Sequence, residues 1–140
     1  IDKAIKSLSK KAERKNLTIV SDYQTHEQVF CDPLKMSQVI LNLLSNAIKY
    51  SDTGTITLCT KTDDEYYIVE VCDEGHGIKP SDQEKIFERF YRVDDDRSRE
   101  TGGSGLGLSI VKSIIDAHHG VIEVQSEFNT GTTFTIKLKR

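Results

Sequence analysis

The sequence predicts one α/β domain over residues 1–140, in which helices cover one face of a mixed or antiparallel sheet. Three observations support this fold class. Segments that alternate apolar and polar residues predict strands, and segments with apolar residues three or four positions apart predict helices. The two kinds of segment are interspersed along a chain long enough to bury one core.

The boundaries follow from local signals. Asp32-Pro33 is typical of a helix start, and Ser81 with Glu84 three residues later fits a capping box. Helices are predicted over residues 4–16, from Pro33 to about Tyr50, over 81–90, and from about Leu106 to His118. Strands are predicted over residues 17–23, 28–31, 54–62, 66–72, 121–127 and 132–139, with polar turns at 63–65 and 129–131.

Composition argues against several functional classes. A net charge of −3 without a basic stripe predicts no nucleic-acid partner, and the short apolar runs predict no direct membrane contact. Cys31, Cys59 and Cys72 lack CxxC spacing, so we interpret them as small apolar residues in strands of a protein from a reducing compartment. The histidines also lack ligand spacing, so we expect no metal site built from such side chains.

The helix beginning at Pro33 combines a buried face with an unusual polar one. Asn42, Asn46 and Lys49 recur at helical spacing, although asparagine is a mediocre helix former. The stripe is either a solvated surface or a ligand face. Amide oxygens suit Mg²⁺, and a lysine supplies a point charge for phosphate. The apolar face consists of Val39, Ile40, Leu43, Leu44, Ala47 and Ile48.

A turn rich in glycine, "DEGHGI" at residues 73–78, follows a predicted strand. Gly75 and Gly77 would let the backbone approach a planar ligand. An ionised Asp73 only accepts hydrogen bonds, so it would select a donor such as the exocyclic amino group of adenine. By itself the motif also fits an ordinary turn.

A polar segment precedes the last predicted helix, and no residue from Asp94 to Ser104 is apolar. We interpret approximately residues 91–105 as a mobile lid. The glycines of "GGSGLGLS" (102–109) would hinge it and expose N–H groups at a helix N-terminus, which suit a polyphosphate.

In this order, the motifs resemble the catalytic, ATP-binding domain of bacterial sensor histidine kinases. "NLLSNAIKYS" resembles the N box of that family, "DEGHGI" its first glycine box, "IFERFYR" its F box and "GGSGLGLSIVK" its second glycine box. "FERFYRVDDDRSR" is similar to the phosphate-regulon type of sensor kinase. The resemblance implies an α+β fold, the two-layer sandwich shared with gyrase, heat-shock and mismatch-repair ATPases, with ATP and Mg²⁺ as ligands.

The resemblance also implies roles for individual residues. Asn46 would ligate Mg²⁺, Asn42 would lie beside the phosphates and metal waters, Lys49 would reach the phosphates, and Tyr50 would flank the base or ribose. Asp73 would accept a hydrogen bond from the adenine amino group. The base pocket would be completed by Gly75, Gly77, Ile78 and either Thr132 or Thr133. The lid base would contain Tyr91 and Arg92, with Arg92 directed to the γ-phosphate. Backbone donors would come from Gly103, Gly105, Leu106, Gly107 and Leu108.

The nature of Asn42 favours phosphoryl transfer over hydrolysis. Hydrolytic relatives usually carry a glutamate there, and an amide is no useful general base. We therefore expect a kinase core, with Asn42, Lys49 and Arg92 as catalytic residues. Its target would be a histidine on a separate dimerisation domain, because none of the four histidines here has the family's setting, a His-Glu or His-Asp pair within a helical dimerisation domain.

The resemblance implies the setting of the domain as well. Its partners would be the dimerisation domain of a homodimeric parent and a response regulator. Its location would be the cytoplasmic part of a membrane-anchored sensor, of which this chain is a fragment. The alternatives are a regulatory nucleotide-binding module without transfer, an ATPase of the gyrase or mismatch-repair kind, and a serine kinase acting on an anti-sigma partner.

Overall fold

A computed structural model describes residues 1–91 and 107–140 of the chain. The described helices are α1 (Asp2–Arg14), α2 (Pro33–Lys49), α3 (Pro80–Gln83) and α4 (Gly107–Ala117). The described strands are β1 (Leu17–Tyr23), β2 (Gly54–Thr62), β3 (Tyr66–Asp73), β4 (Val121–Glu127) and β5 (Gly131–Lys139). None of the helices in these two ranges is long and apolar enough to cross a membrane.

The strands form one mixed sheet in the order β1-β2-β3-β5-β4. β1 runs parallel to β2, and the other neighbours are antiparallel. Alternate residues of the central strands, such as Leu58, Val71 and Phe134, are buried on one face. The helices cover that face, which confirms the predicted two-layer α+β architecture.

Helix α2 lies between α1 and α4 and packs on both. All six residues of its predicted apolar face are buried, with exposures of 5% or less. The prediction of this helix from its periodicity is therefore confirmed, and its polar stripe is turned away from the core.

Both ends of α2 are held by specific hydrogen bonds. At the start, Oδ1 of Asp32 accepts from the N–H groups of Leu34 and Lys35, each at 3.0 Å, which confirms the predicted cap. At the end, the Lys15 ammonium donates to the carbonyls of Ile48 at 2.7 Å and Lys49 at 3.3 Å. A cation at this position complements the negative end of the helix dipole.

His118 joins the end of α4 to the start of α2. Its Nδ1 donates to the Ile114 carbonyl at 2.8 Å, and its Nε2 accepts from the Asp32 N–H at 3.0 Å. In this pair of contacts Nδ1 carries the hydrogen and Nε2 the lone pair, so the two bonds define the tautomer of the ring.

Two predicted elements are wrong. Residues 28–31 form no strand: Val29 packs on the core and the Phe30 side chain is fully exposed, but the backbone joins no ladder. The alternation there reflects packing of a loop.

The helix predicted over residues 81–90 spans only Pro80–Gln83 in the structure, and the chain after it forms turns. Ser81 does not cap it, because Lys79 occupies that position without a side-chain hydrogen bond. The Gln83 amide instead donates to the carbonyls of Ile78 at 2.8 Å and Ser126 at 3.1 Å. Tertiary contacts thus replace a second helical turn.

Replacement of Lys15 by methionine tests the cap at the end of α2. We expect Lys15→Met to lower the free energy of unfolding by about 1 kcal/mol, because two helix carbonyls lose a cationic donor. Urea denaturation measures this change. Lys11→Met, at an exposed position of α1, the helix that Lys15 follows, is the matched control; equal effects of both variants would contradict the capping role.

Candidate functional site

The C-terminal end of α2 contacts the turn that follows β3. The carbonyl of Tyr50 accepts from the N–H of His76 at 3.0 Å. A β-carbon on Gly75 would lie 2.4 Å from the same carbonyl, so no side chain fits at this position. The two motifs that the sequence predicts to bind one ligand are therefore in direct backbone contact.

The predicted ligand face of α2 retains uncommitted amides. Asn42, Asn46 and Lys49 are half-buried. Within residues 1–91 and 107–140, the side chains of Asn42 and Asn46 form no hydrogen bond. The Lys49 ammonium lies 5.2 Å from the centre of the Tyr50 ring, a cation–π distance. The amide oxygens are thus available to a ligand.

The same part of the chain holds no cluster of three His, Cys, Asp or Glu side chains that could bind a metal ion. A magnesium ion here would depend on an amide oxygen, phosphate oxygens and water, which are the hard ligands it prefers. The Asn46 amide fits that donor set.

Asp73 ends β3 as a half-buried carboxylate. Its Oδ1 accepts from the N–H of Gly75 at 2.9 Å. Burial raises the pKa of Asp73 above its usual range, while the N–H groups of Gly75 and Thr132 and the nearby His76 act in the opposite direction. The carboxylate is partly desolvated, so a ligand donor would form a strong hydrogen bond with it.

Strand register distinguishes the two candidate threonines. Thr132 pairs with Asp73 and shares its face of the sheet, whereas Thr133 pairs with Cys72 on the uncovered face. The Thr133 hydroxyl donates to the Cys72 sulfur at 3.4 Å. Thr132 therefore lies on the same face as Asp73, which favours Thr132 over Thr133 as the threonine of the predicted base pocket.

The glycine turn is clamped by the β4–β5 hairpin. Gly77 has a φ of +70°, and a β-carbon on it would lie 2.1 Å from the Glu127 carbonyl. The His76 carbonyl accepts from Asn129 N–H at 2.6 Å, and Ile78 N–H donates to Ser126 Oγ at 2.7 Å. Protein packing alone thus requires glycine at position 77.

Two residues of this region carry no motif signal. Ser51 follows α2 and is fully buried, and its hydroxyl has no hydrogen-bond partner among the described residues. His76 has its Nε2 2.8 Å from an Asp52 carboxylate oxygen. A serine after a helix and a histidine between glycines carry no sequence signal for these contacts.

Some of the remaining predicted site residues lie within the described part of the chain, and the others lie outside it. The Tyr91 hydroxyl donates to the Asp82 carboxylate, and its ring packs against the core. Gly107 begins α4 with no described atom within 4 Å of a β-carbon built on it, and Leu108 packs on the core, so only its backbone could serve a ligand. Arg92, Gly103, Gly105, Leu106 and most of the predicted lid lie outside the described residues.

The sheet is mixed, has five strands and carries helices on one face. The candidate site lies where a helix meets the turn after an inner strand. Together these features define the two-layer α+β class of ATPases. The chain belongs to the family described as histidine kinase-, DNA gyrase B-, and HSP90-like ATPase, whose model matches residues 31–140. The resemblance stated from the motifs is confirmed.

Several known proteins to which this chain is similar are sensor histidine kinases. The sensor-like histidine kinase SenX3 of Mycolicibacterium smegmatis is 42% identical over 128 residues, which cover 91% of this chain and 33% of that relative. The chain therefore spans about a third of the curated relative. The crystal structure of full-length ShkA in complex with AMPPNP superposes with a TM-score of 0.86 at 27% identity, over 98% of this chain and 28% of ShkA. The catalytic domain of histidine kinase ThkA gives 0.84 at 27% identity, over 99% of this chain and 90% of that one.

Replacement of Asp73 by asparagine separates the effect of the carboxylate on the stability of the fold from its effect on ligand binding. Because burial raises its pKa, the folded protein holds the Asp73 proton more tightly than the unfolded chain, and stability falls as pH rises from the usual aspartate range to the folded pKa. We expect Asp73→Asn to lose this pH dependence and to be at least as stable at pH 7. ATP affinity should nevertheless fall about tenfold or more, because a charged acceptor is lost.

Thermal denaturation across pH and isothermal titration measure the two effects. Asp22→Asn, at an exposed position of β1, is the matched control. Unchanged ATP affinity of Asp73→Asn would remove Asp73 from the base pocket.

Proposed function

We propose that this domain binds Mg-ATP and donates the γ-phosphoryl group to a histidine on a separate dimerisation domain. The observation that carries the proposal is the contact at Gly75, which joins the end of α2, the helix with the uncommitted amides, to the turn that follows Asp73. The relatives are sensor histidine kinases, and ShkA was crystallised with an ATP analogue, which supports the choice of ligand.

The base would bind at the end of β3. Asp73 accepts from the exocyclic amino group of adenine, with the Thr132 hydroxyl beside it. Gly75, Gly77 and Ile78 form the wall of the pocket, and their positions are fixed by α2 and the β4–β5 hairpin. Guanine presents a carbonyl in place of the amino group, so we expect ATP to bind better than GTP.

The phosphates would extend along the polar face of α2. Asn46 holds the metal ion through its amide oxygen, Asn42 lies beside the phosphates, and Lys49 supplies a positive charge. Tyr50, whose ring contacts the Lys49 ammonium, flanks the base or ribose. A bound Mg²⁺ would neutralise phosphate charge. Arg92 and the backbone of Gly103, Gly105, Leu106, Gly107 and Leu108 would complete the phosphate site.

The chemistry of this constellation favours transfer to a protein nucleophile. Phosphoryl transfer depends on positioning and charge neutralisation, which Lys49 and Arg92 would supply. Asn42 has no proton-accepting group of suitable pKa to activate water. Slow hydrolysis by the domain alone and rapid transfer to a dimerisation domain would support this proposal over an ATPase or a regulatory module.

The relatives support a proposal for the wider setting of the domain. The domain would act in the cytoplasm within a membrane-anchored homodimeric sensor, and the phosphohistidine formed would serve a response regulator. A separately expressed dimerisation domain of such a kinase, supplied in trans with radiolabelled ATP, tests transfer directly. Binding of ATP without transfer would favour the regulatory module, and fast steady-state hydrolysis would favour the ATPase.

The metal role of Asn46 makes a separate prediction. We expect Asn46→Ala to bind ATP equally weakly with and without Mg²⁺, with at least a tenfold loss relative to the unmodified domain in Mg²⁺, because the amide ligand is gone. Titration of ATP at several Mg²⁺ concentrations measures this. Gln125→Ala removes an amide from the exposed, uncovered face of the sheet and is the control. A Mg²⁺ response retained by Asn46→Ala would assign the metal elsewhere.

A further inference from the structure

The outer face of α1 carries a row of cations. The helix contains five lysine or arginine residues and two acidic ones, a net charge of +3, whereas the whole chain carries −3. An α-helix turns by about 100° per residue, so four of these cations fall within about 80° of arc, opposite the buried Ala4 and Ala12. The linear sequence shows no basic stripe, because these residues become neighbours only in the helix. The basic row consists of four exposed residues, Lys3, Lys6, Lys10 and Arg14.

The basic row lowers the stability of its own helix. Its members lie three or four positions apart, where like charges repel. Lys3 also stands in the first turn, at the positive end of the helix dipole, where an acidic residue is favoured. In the part of the chain that the structure describes, none of the four cations forms an ion pair or a side-chain hydrogen bond. On α4, by contrast, Lys112 Nζ lies 2.7 Å from the Asp116 carboxylate four positions later. A use that compensates for this repulsion is therefore expected.

The surroundings of the basic row indicate a short anionic partner. Outside α1 the chain has a net charge of −6, so an extended polyanion such as a nucleic acid or a lipid surface would also meet an acidic remainder. No large apolar side chain of α1 is exposed, whereas helices that bind at a membrane interface present such side chains beside their cations. The row is about 16 Å long and one residue wide. Carboxylates one turn apart on another helix match this spacing.

We propose that the basic row of α1 is a docking surface for an acidic α-helix of a partner protein. Carboxylates spaced three or four positions apart on one face of that helix lie opposite the four cations, and each contact relieves the repulsion within the row. The contacts are exposed to solvent, so the interaction weakens as the salt concentration rises. This surface is separate from the proposed nucleotide site.

Two designed peptides test the spacing of the partner. The first is an alanine-based helix with four glutamates on one face, at the spacing of the basic row. The second has the same composition, but its glutamates are distributed around the helix. We expect the one-sided peptide to bind the domain about tenfold more tightly at about 0.01 M salt and to lose this advantage at about 1 M. Fluorescence anisotropy of labelled peptides measures both affinities.

The variant Lys6→Glu distinguishes docking from a structural role because two readouts move in opposite directions. The new carboxylate lies three positions after Lys3 and four before Lys10, so the melting temperature should rise. Affinity for the one-sided peptide should nevertheless fall about tenfold. Lys11→Glu makes the same change of charge on α1 away from the row and is the matched control. Its peptide affinity should change much less.

Equal binding of the two peptides, or equal losses in Lys6→Glu and Lys11→Glu, would overturn the proposal. Tighter binding of phosphatidylglycerol vesicles or of duplex DNA than of the one-sided peptide would also overturn it and would assign the basic row to that polyanion. ATP affinity should be unchanged in Lys6→Glu. A failure of the docking proposal therefore leaves the proposed function intact.

Discussion

The close approach of α2 to the turn after β3 is the constraint on which this site depends. At Gly75 the backbone passes so near the Tyr50 carbonyl that no β-carbon fits, and the next residue donates to that carbonyl. The helix carries the amides and the strand carries the carboxylate. Their separation is therefore fixed by main-chain contact and does not depend on side-chain packing, which gives a ligand two preset anchoring points.

The rest of the fold holds these two elements rigidly. Asp32 and Lys15 cap opposite ends of α2, and His118 ties its start to α4. On the other side, the β4–β5 hairpin holds the glycine turn through Ser126 and Asn129. The helix layer and the sheet thus converge on one corner of the domain, while the far face of the sheet bears ion pairs between neighbouring strands, such as Lys61 with Glu70.

Sequence patterns predicted most of this fold because its core elements are locally consistent. The cap at Asp32 and the apolar periodicity placed α2 to within a residue, and alternation placed the five strands. Prediction failed where tertiary contacts decide the outcome. Residues 28–31 alternate but have no partner strand, and residues 84–90 form turns where the capping signal predicted a helix. Strand register separates Thr132 from Thr133, and register cannot be read from residue types alone. The burial of Ser51 likewise has no signal in the sequence.

The crowding at the glycine turn has a consequence for genetics. Gly75 and Gly77 are both required by the protein's own backbone, at distances of 2.4 and 2.1 Å from neighbouring carbonyls to a β-carbon built on each. A loss-of-function allele at either codon would reflect a misshapen domain before it reflected a lost ligand. Asn46 is a half-buried position on the polar face of α2, so an allele there leaves these backbone contacts untouched and is the more informative marker in a screen for loss of function.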